Sequence, residues 1–198
     1  TVNQLPVVTA PSNVCVGSTG TLSPTTGGTW VSSNNSLATV TNAGVVTGVA
    51  AGSVTFTFTQ TSTGCPATTA SVTVSPLPNN VAASAASATV CSGSSTSIVI
   101  TGSQSGVDYQ LRNNSGNVLI GSPVAGTGGT ISLPTGNLTV TTTFNILATS
   151  TAGCARQLTT LVTVTMDNIA PVITCPGNVT INLDASCNAV VPDYTSMV

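Results

Sequence analysis

The chain reads as all-β, a tandem series of antiparallel sandwiches, and the first sign is a period of two. Residues 37–65, LATVTNAGVVTGVAAGSVTFTFTQTSTGC, alternate so that Val54, Phe56 and Phe58 face one way and Thr55, Thr57 and Thr59 the other. A strand with one buried and one wet face needs that pattern. The second sign is composition: Thr, Val and Gly are abundant and strong helix formers are scarce, which favours pleated structure. The third is punctuation, because short apolar runs are separated throughout by Gly, Pro and Asn turns.

Taken in order, residues 37–40 and 45–47 form a tight hairpin around Thr41-Asn42-Ala43-Gly44, with Gly44 free to take positive φ. Strand 54–59 follows, and Ser62-Thr63-Gly64 turns the chain into a last strand at 67–74, with Cys65 beside the turn. After Pro78 comes an Ala-rich stretch, 81–90, too short and uncapped for a stable helix; an extended entry strand is the expectation. Strands are then expected at 97–101, 107–112, 117–120, 130–133, 138–149 and 156–165. The resulting domains are 1–78, 79–167 and 168–198, the last incomplete, because about thirty residues with two or three strands bury too little to fold alone.

Composition excludes several functions. Only Arg112, Arg156, Asp108, Asp167, Asp184 and Asp193 carry formal charge, and the net charge is −2 over 198 residues. Nucleic-acid binding rests on cationic neutralisation of phosphate, which two isolated arginines do not supply. No apolar run reaches the length of about 18 residues that a membrane span requires. Without His, Lys or Glu, no Ser-His-Asp or Ser-Lys arrangement is available, and the aspartates are scattered singly. Asp184 and Asp193 make the one conceivable carboxylate pair, without a supporting cleft in view. No enzyme activity and no cofactor are expected. Gly126-Thr127-Gly128-Gly129 precedes a strand rather than a helix N-terminus and reads as a turn, not a phosphate cradle. The glycosylation sequons at Asn34, Asn113, Asn137 and Asn178 are what so Asn- and Thr-rich a chain holds by chance.

Internal repeats give the organisation. Thr1-Val2-Asn3-Gln4-Leu5-Pro6 returns as Thr73-Val74-Ser75-Pro76-Leu77-Pro78, Val14-Cys15-Val16-Gly17-Ser18 as Val90-Cys91-Ser92-Gly93-Ser94, and Thr61-Ser62-Thr63-Gly64-Cys65 as Thr149-Ser150-Thr151-Ala152-Gly153-Cys154. The cysteine spacing runs from 76 (15 to 91) to 89 (65 to 154) residues, so two copies of one plan stand in tandem. By the same analogy, Thr1-Val2 reads as the tail of a preceding domain. Six cysteines without metal-ligand spacing suit three disulfides and an oxidising compartment. The repeats suggest Cys15–Cys65 and Cys91–Cys154, each inside one domain and each contributing roughly 4 kcal/mol through loop closure.

Residues 37–59, LATVTNAGVVTGVAAGSVTFTFT, resemble the bacterial Ig-like group 2 module, with its A-T-V strand, G-V-V-T-G turn and A-G-x-x-x-I/F-x-F strand. Trp30 lies between the first cysteines as in the Cys…Trp…Cys Ig framework, and reads as a core residue. Residues 107–154 resemble Ig-like repeats of very large secreted surface proteins of Bacteroidota. PVITCPGNVTINLDASCNAVV, at 171–191, resembles the start of the hyalin repeat (HYR), an Ig-like adhesion module, and that resemblance pairs Cys175 with Cys187. Asp167-Asn168 is similar to the calcium-rimmed linkers of cadherins, but the further oxygen ligands calcium needs are absent, and a solvated linker is expected.

These likenesses imply a non-enzymatic structural or adhesive segment of a large secreted cell-surface repeat protein, exported by type IX secretion as gliding adhesins are, and serving as a disulfide-tied spacer or stalk. The rival is an extracellular filament subunit assembled by β-strand addition, and a carbohydrate-binding module stands third. Expected partners are neighbouring Ig-like domains of the same or another chain, with surface polysaccharide or the secretion machinery beyond them.

Overall fold

In the computed structural model, residues 4–169, 172 and 180–189 are described, and none of them is helical. Thr1–Asp167 form one compact unit and Asn168–Val198 another. The first unit holds two separate cores, one drawn from residues 8–74 and one from residues 81–166.

The first sandwich comprises β1 (Asn13–Cys15), β2 (Thr19–Thr21), β3 (Gly28–Ser32), β4 (Ala38–Val40), β5 (Val45–Gly48), β6 (Gly52–Val54), β7 (Phe56–Gln60), β8 (Pro66–Thr68) and β9 (Val72–Ser75). They form three short sheets, ordered β1-β9-β6, β2-β5-β4 and β3-β7-β8. The β4–β5 hairpin closes with the Thr41 N–H donating to Val45 O at 2.9 Å and Gly44 at φ 76°. Val54, Phe56 and Phe58 all point inward, as their alternation requires. The stretch that holds them nevertheless changes sheets at Thr55, β6 pairing with β9 and β7 with β3. The expected strand 67–74 splits in the same way. Buried Thr69 takes a hydrogen bond from Phe56 N–H on its hydroxyl and gives its own N–H to Phe56 O, so the chain bends there and crosses from one sheet to the other.

The second sandwich contains β10 (Ala83–Ala85), β11 (Thr89–Cys91), β12 (Ser95–Ile100), β13 (Val107–Asn113), β14 (Val118–Ala125), β15 (Ile131–Asn137), β16 (Thr142–Ser150), β17 (Ala155–Gln157) and β18 (Val162–Asp167). A sheet β10-β12-β15 packs on a six-stranded sheet β11-β18-β16-β13-β14, with β17 attached to β16. The Ala-rich entry is extended, as two short strands. Strand β14 is longer than expected and carries a bulge opposite Gln110. The Gln110 amide fills it, donating to Ile120 O at 2.9 Å.

One expectation needs correction. The pairing is not wholly antiparallel: β1 runs parallel to β9 and β11 parallel to β18. Each parallel pair joins the entry strand to the closing strand, and the whole domain between them serves as the long crossover that parallel pairing needs.

Candidate functional site

The two sandwiches meet end to end, and a covalent bond crosses the junction. Cys15 closes β1 beside Ser75, the last residue of β9. Cys154 sits in the hairpin between β16 and β17, where Ser150 N–H donates to Cys154 O and Gly153 N–H to Ser150 O, both at 2.9 Å. Thr151 N–H anchors the tip of this hairpin on Gly106 O at 3.0 Å. Cys15 and Cys154, 139 residues apart in sequence, form a disulfide with a Cα–Cα distance of 5.6 Å.

The expected Cys15–Cys65 and Cys91–Cys154 bonds are therefore not formed, and the sheet register explains why. Cys15 is level with Ser75, and Gly52 is level with Val74. From Gly52 the chain runs up through Phe56 to Gln60, and Cys65 lies in the hairpin at that far end. Eight residues of strand span about 26 Å, whereas a disulfide needs Cα atoms within about 7 Å. In the second domain, Cys91 is level with Asp167 near the Thr142 end of β16, and Cys154 lies beyond its Ser150 end. Cys65, Cys91 and Cys187 are free thiols, half-buried in the first case and exposed in the other two. Cys175, the expected partner of Cys187, lies outside the described residues.

Polar contacts complete the clamp. Asn13 donates from Nδ2 to Ala152 O at 3.1 Å, and the Ser75 hydroxyl donates to Asn13 Oδ1 and so orients that amide. The linker is held too: Asn79 N–H donates to Gln104 Oε1 at 2.9 Å, while Asn80 exchanges two bonds with Thr159 at 2.7 and 2.9 Å. Gln104 in turn gives its N–H to the hydroxyl of buried Tyr109 at 2.8 Å. A relay of bonds thus runs from the core of the second domain to the linker. Ser75, Pro76, Gln104, Gly106, Ser150 and Ala152 are among the residues lining a junction cleft of about 230 Å³.

The other sequence-derived candidates do not converge. Trp30 is buried at 4 % exposure, with its indole N–H donating to Pro24 O at 2.8 Å and its ring 5.1 Å from that of Phe58. Tyr109 is also buried, so neither ring offers a stacking platform for sugar, and Tyr194 lies outside the described residues. The Asp184 carboxylate folds its own turn, accepting N–H bonds from Ser186 and Asn188 at 2.8 and 2.9 Å. Asp193 lies outside the described residues. Among the described residues no group of three or more His, Cys, Asp or Glu could hold a metal ion, and no helix is long and apolar enough to cross a membrane.

A polar cluster on the second domain has no counterpart in the sequence reading. Fully buried Asn145 accepts from Arg112 Nε at 2.8 Å and donates to Asn114 Oδ1 and Asn117 Oδ1 at 3.1 and 2.8 Å. Beside it, Asn113, Asn114, Ser115 and residues 140–143 line an open groove of about 390 Å³.

Residues 12–74 match the family model of the bacterial Ig-like domain (group 2). No curated protein matches the chain. Among solved structures, murine CEACAM1b is similar at 9 % identity and a TM-score of 0.39, over 81 % of this chain and 98 % of that one. The Yersinia pseudotuberculosis adhesin InvE is similar at 16 % and 0.33, over 90 % and 71 %. The fibronectin(III)-like modules of Clostridium thermocellum CbhA are similar at 11 % and 0.39, over 86 % and 100 %. The architecture is that of two β-sandwiches, the first of them matched by the Ig-like model.

Proposed function

We propose that this chain, with a first domain matched by the bacterial Ig-like group 2 model, is a non-enzymatic structural and adhesive segment of a secreted cell-surface repeat protein. It acts as a spacer that holds successive sandwiches in fixed order. The observation that carries this reading is the Cys15–Cys154 bond between domains. This bond joins two domains rather than two points of one, and so removes freedom between them, as a stalk requires. Such bonds persist in oxidising, extracytoplasmic surroundings. The hyalin-repeat likeness of residues 171–191 and export by type IX secretion from a member of the Bacteroidota extend the same proposal.

Small-angle scattering of the purified chain tests it. The oxidised protein should show one fixed interdomain distance, and the Cys15→Ser variant a broadened distribution. An oxidised chain that scatters as two freely jointed bodies would remove the spacer reading. A second reading is favoured by β14, which among the described residues pairs with β13 alone and exposes Val118 and Leu119. An open edge of this kind accepts a strand from another molecule. Filaments seen by electron microscopy that vanish on deletion of residues 169–198 would select that reading over the spacer.

A further inference from the structure

The unbonded cysteines of the first unit repeat, position for position, the two that are bonded. In the first domain Asn13, Val14 and Cys15 lie opposite Thr73, Val74 and Ser75; in the second, Thr89, Val90 and Cys91 lie opposite Thr165, Met166 and Asp167. The turns that follow are alike. Ser18 N–H donates to Cys15 O at 2.9 Å and Ser94 N–H to Cys91 O at 3.0 Å, around Gly17 at φ 78° and Gly93 at φ 82°.

The hairpins match as closely. Gln60 N–H donates to Cys65 O at 3.1 Å and Gly64 N–H to Gln60 O at 2.8 Å, as Ser150 and Gly153 do around Cys154. Even the anchor recurs, Thr61 N–H on Gly27 O at 2.9 Å standing for Thr151 N–H on Gly106 O at 3.0 Å. Cys91 therefore stands where Cys15 stands, and Cys65 where Cys154 stands. Each lies at the end of its domain away from the existing clamp.

We infer that Cys65 and Cys91 are the two open ends of a head-to-tail disulfide relay, in which the entry-strand cysteine of one domain bonds the hairpin cysteine of the next. Cys91 takes the hairpin cysteine of a following domain of this plan, and Cys65 takes the entry-strand cysteine of a preceding one. A second copy of this chain carries both partners. Such a contact is heterologous, using different surfaces on the two sides, and it extends rather than closes. A small-molecule disulfide is the oxidant: the Cys91 thiolate attacks it and releases one thiol, and the Cys65 thiolate of the neighbour then attacks the mixed disulfide and releases the second. Two protein thiols are oxidised, one small disulfide is reduced, and two protons leave the protein sulfurs. This relay deepens the spacer proposal and rests, as that does, on the clamp at Cys15–Cys154.

The test uses the full chain carrying Cys175→Ser and Cys187→Ser, concentrated with oxidised glutathione and run without reductant. A ladder of oligomers that collapses on reduction is expected, with a Cys65–Cys91 cross-linked peptide found by mass spectrometry. Adding Cys65→Ser or Cys91→Ser alone should leave monomer, and mixing those two variants should restore dimer and nothing larger. Absence of any bond between copies, or dimers from either variant alone, would overturn the relay. With Cys15–Cys154 intact in the peptide map, that failure would leave the spacer standing; a map showing Cys15 bonded to Cys65 would sink both.

Discussion

Replacing Cys15 and Cys154 together by Ser should weaken both sandwiches, although each residue belongs to only one of them. When the first domain unfolds alone, the bond at Cys15 and the linker anchors at Asn79 and Asn80 still hold its ends on the folded second domain. The unfolded segment is then a closed loop of about 60 residues, and the corresponding loop for the second domain is about 75. In the chain-entropy model each closure contributes roughly 4 kcal/mol. For domains of this size that corresponds to a melting point lower by on the order of 20 °C. Trp30, the single tryptophan, reports the first domain by fluorescence, and far-ultraviolet circular dichroism follows both. Urea titrations of oxidised wild type and the double variant should show both transitions moving to lower denaturant. A Cys15–Cys65 bond would make the tryptophan transition alone respond to Cys15→Ser. That outcome, or a change below about 1 kcal/mol in both transitions, would refute the interdomain clamp.

Three further substitutions probe the cores. Asn145→Leu strips Arg112, Asn114 and Asn117 of their shared partner and should cost about 2–3 kcal/mol. Circular dichroism should register that loss while the Trp30 fluorescence midpoint stays in place. Gly28→Ala would drive a methyl group into the Thr59 carbonyl and the Phe58 ring; a loss of about 1–3 kcal/mol is expected from such overpacking, read in the fluorescence midpoint. Trp30→Phe leaves the Pro24 carbonyl without its indole donor and should cost about 2 kcal/mol, measured by calorimetry because the fluorophore is lost.

Local features were legible in the sequence because they are decided locally. The alternation at Val54, Phe56 and Phe58 named the buried face, and the Gly44 turn followed from backbone freedom. Strand ends were less legible. The breaks at Thr55 and Thr69 depend on which sheet each half joins, and that choice is made by partners distant in sequence. The cysteine frame shows the limit most clearly. Its repeats identified equivalent positions correctly, but the intradomain pairings drawn from them fail because equivalence says nothing about which end of a sandwich a residue occupies. Cys15 and Cys65 lie at opposite ends, and only the register of β1, β9 and β6 reveals it. The Asn145 cluster left no trace in a chain so rich in Asn and Thr, since no spacing rule marks a buried amide whose partners come from a neighbouring hairpin.

The bridge at Cys15 also decides where mechanical load would travel. A pull applied before Cys15 and after Cys154 passes directly from sulfur to sulfur, and residues 16–153 hang from that link as an unstretched side loop. Residues 16–153 are shielded from the tension, which falls instead on the strands outside the bridge, β17 and β18, with Leu158, Val162 and Val164 of the second core, and the stretch up to Val14 of the first. Reduction would place the whole 16–153 segment in series with the force, so one thiol–disulfide exchange would turn an inextensible link into a long, yielding one.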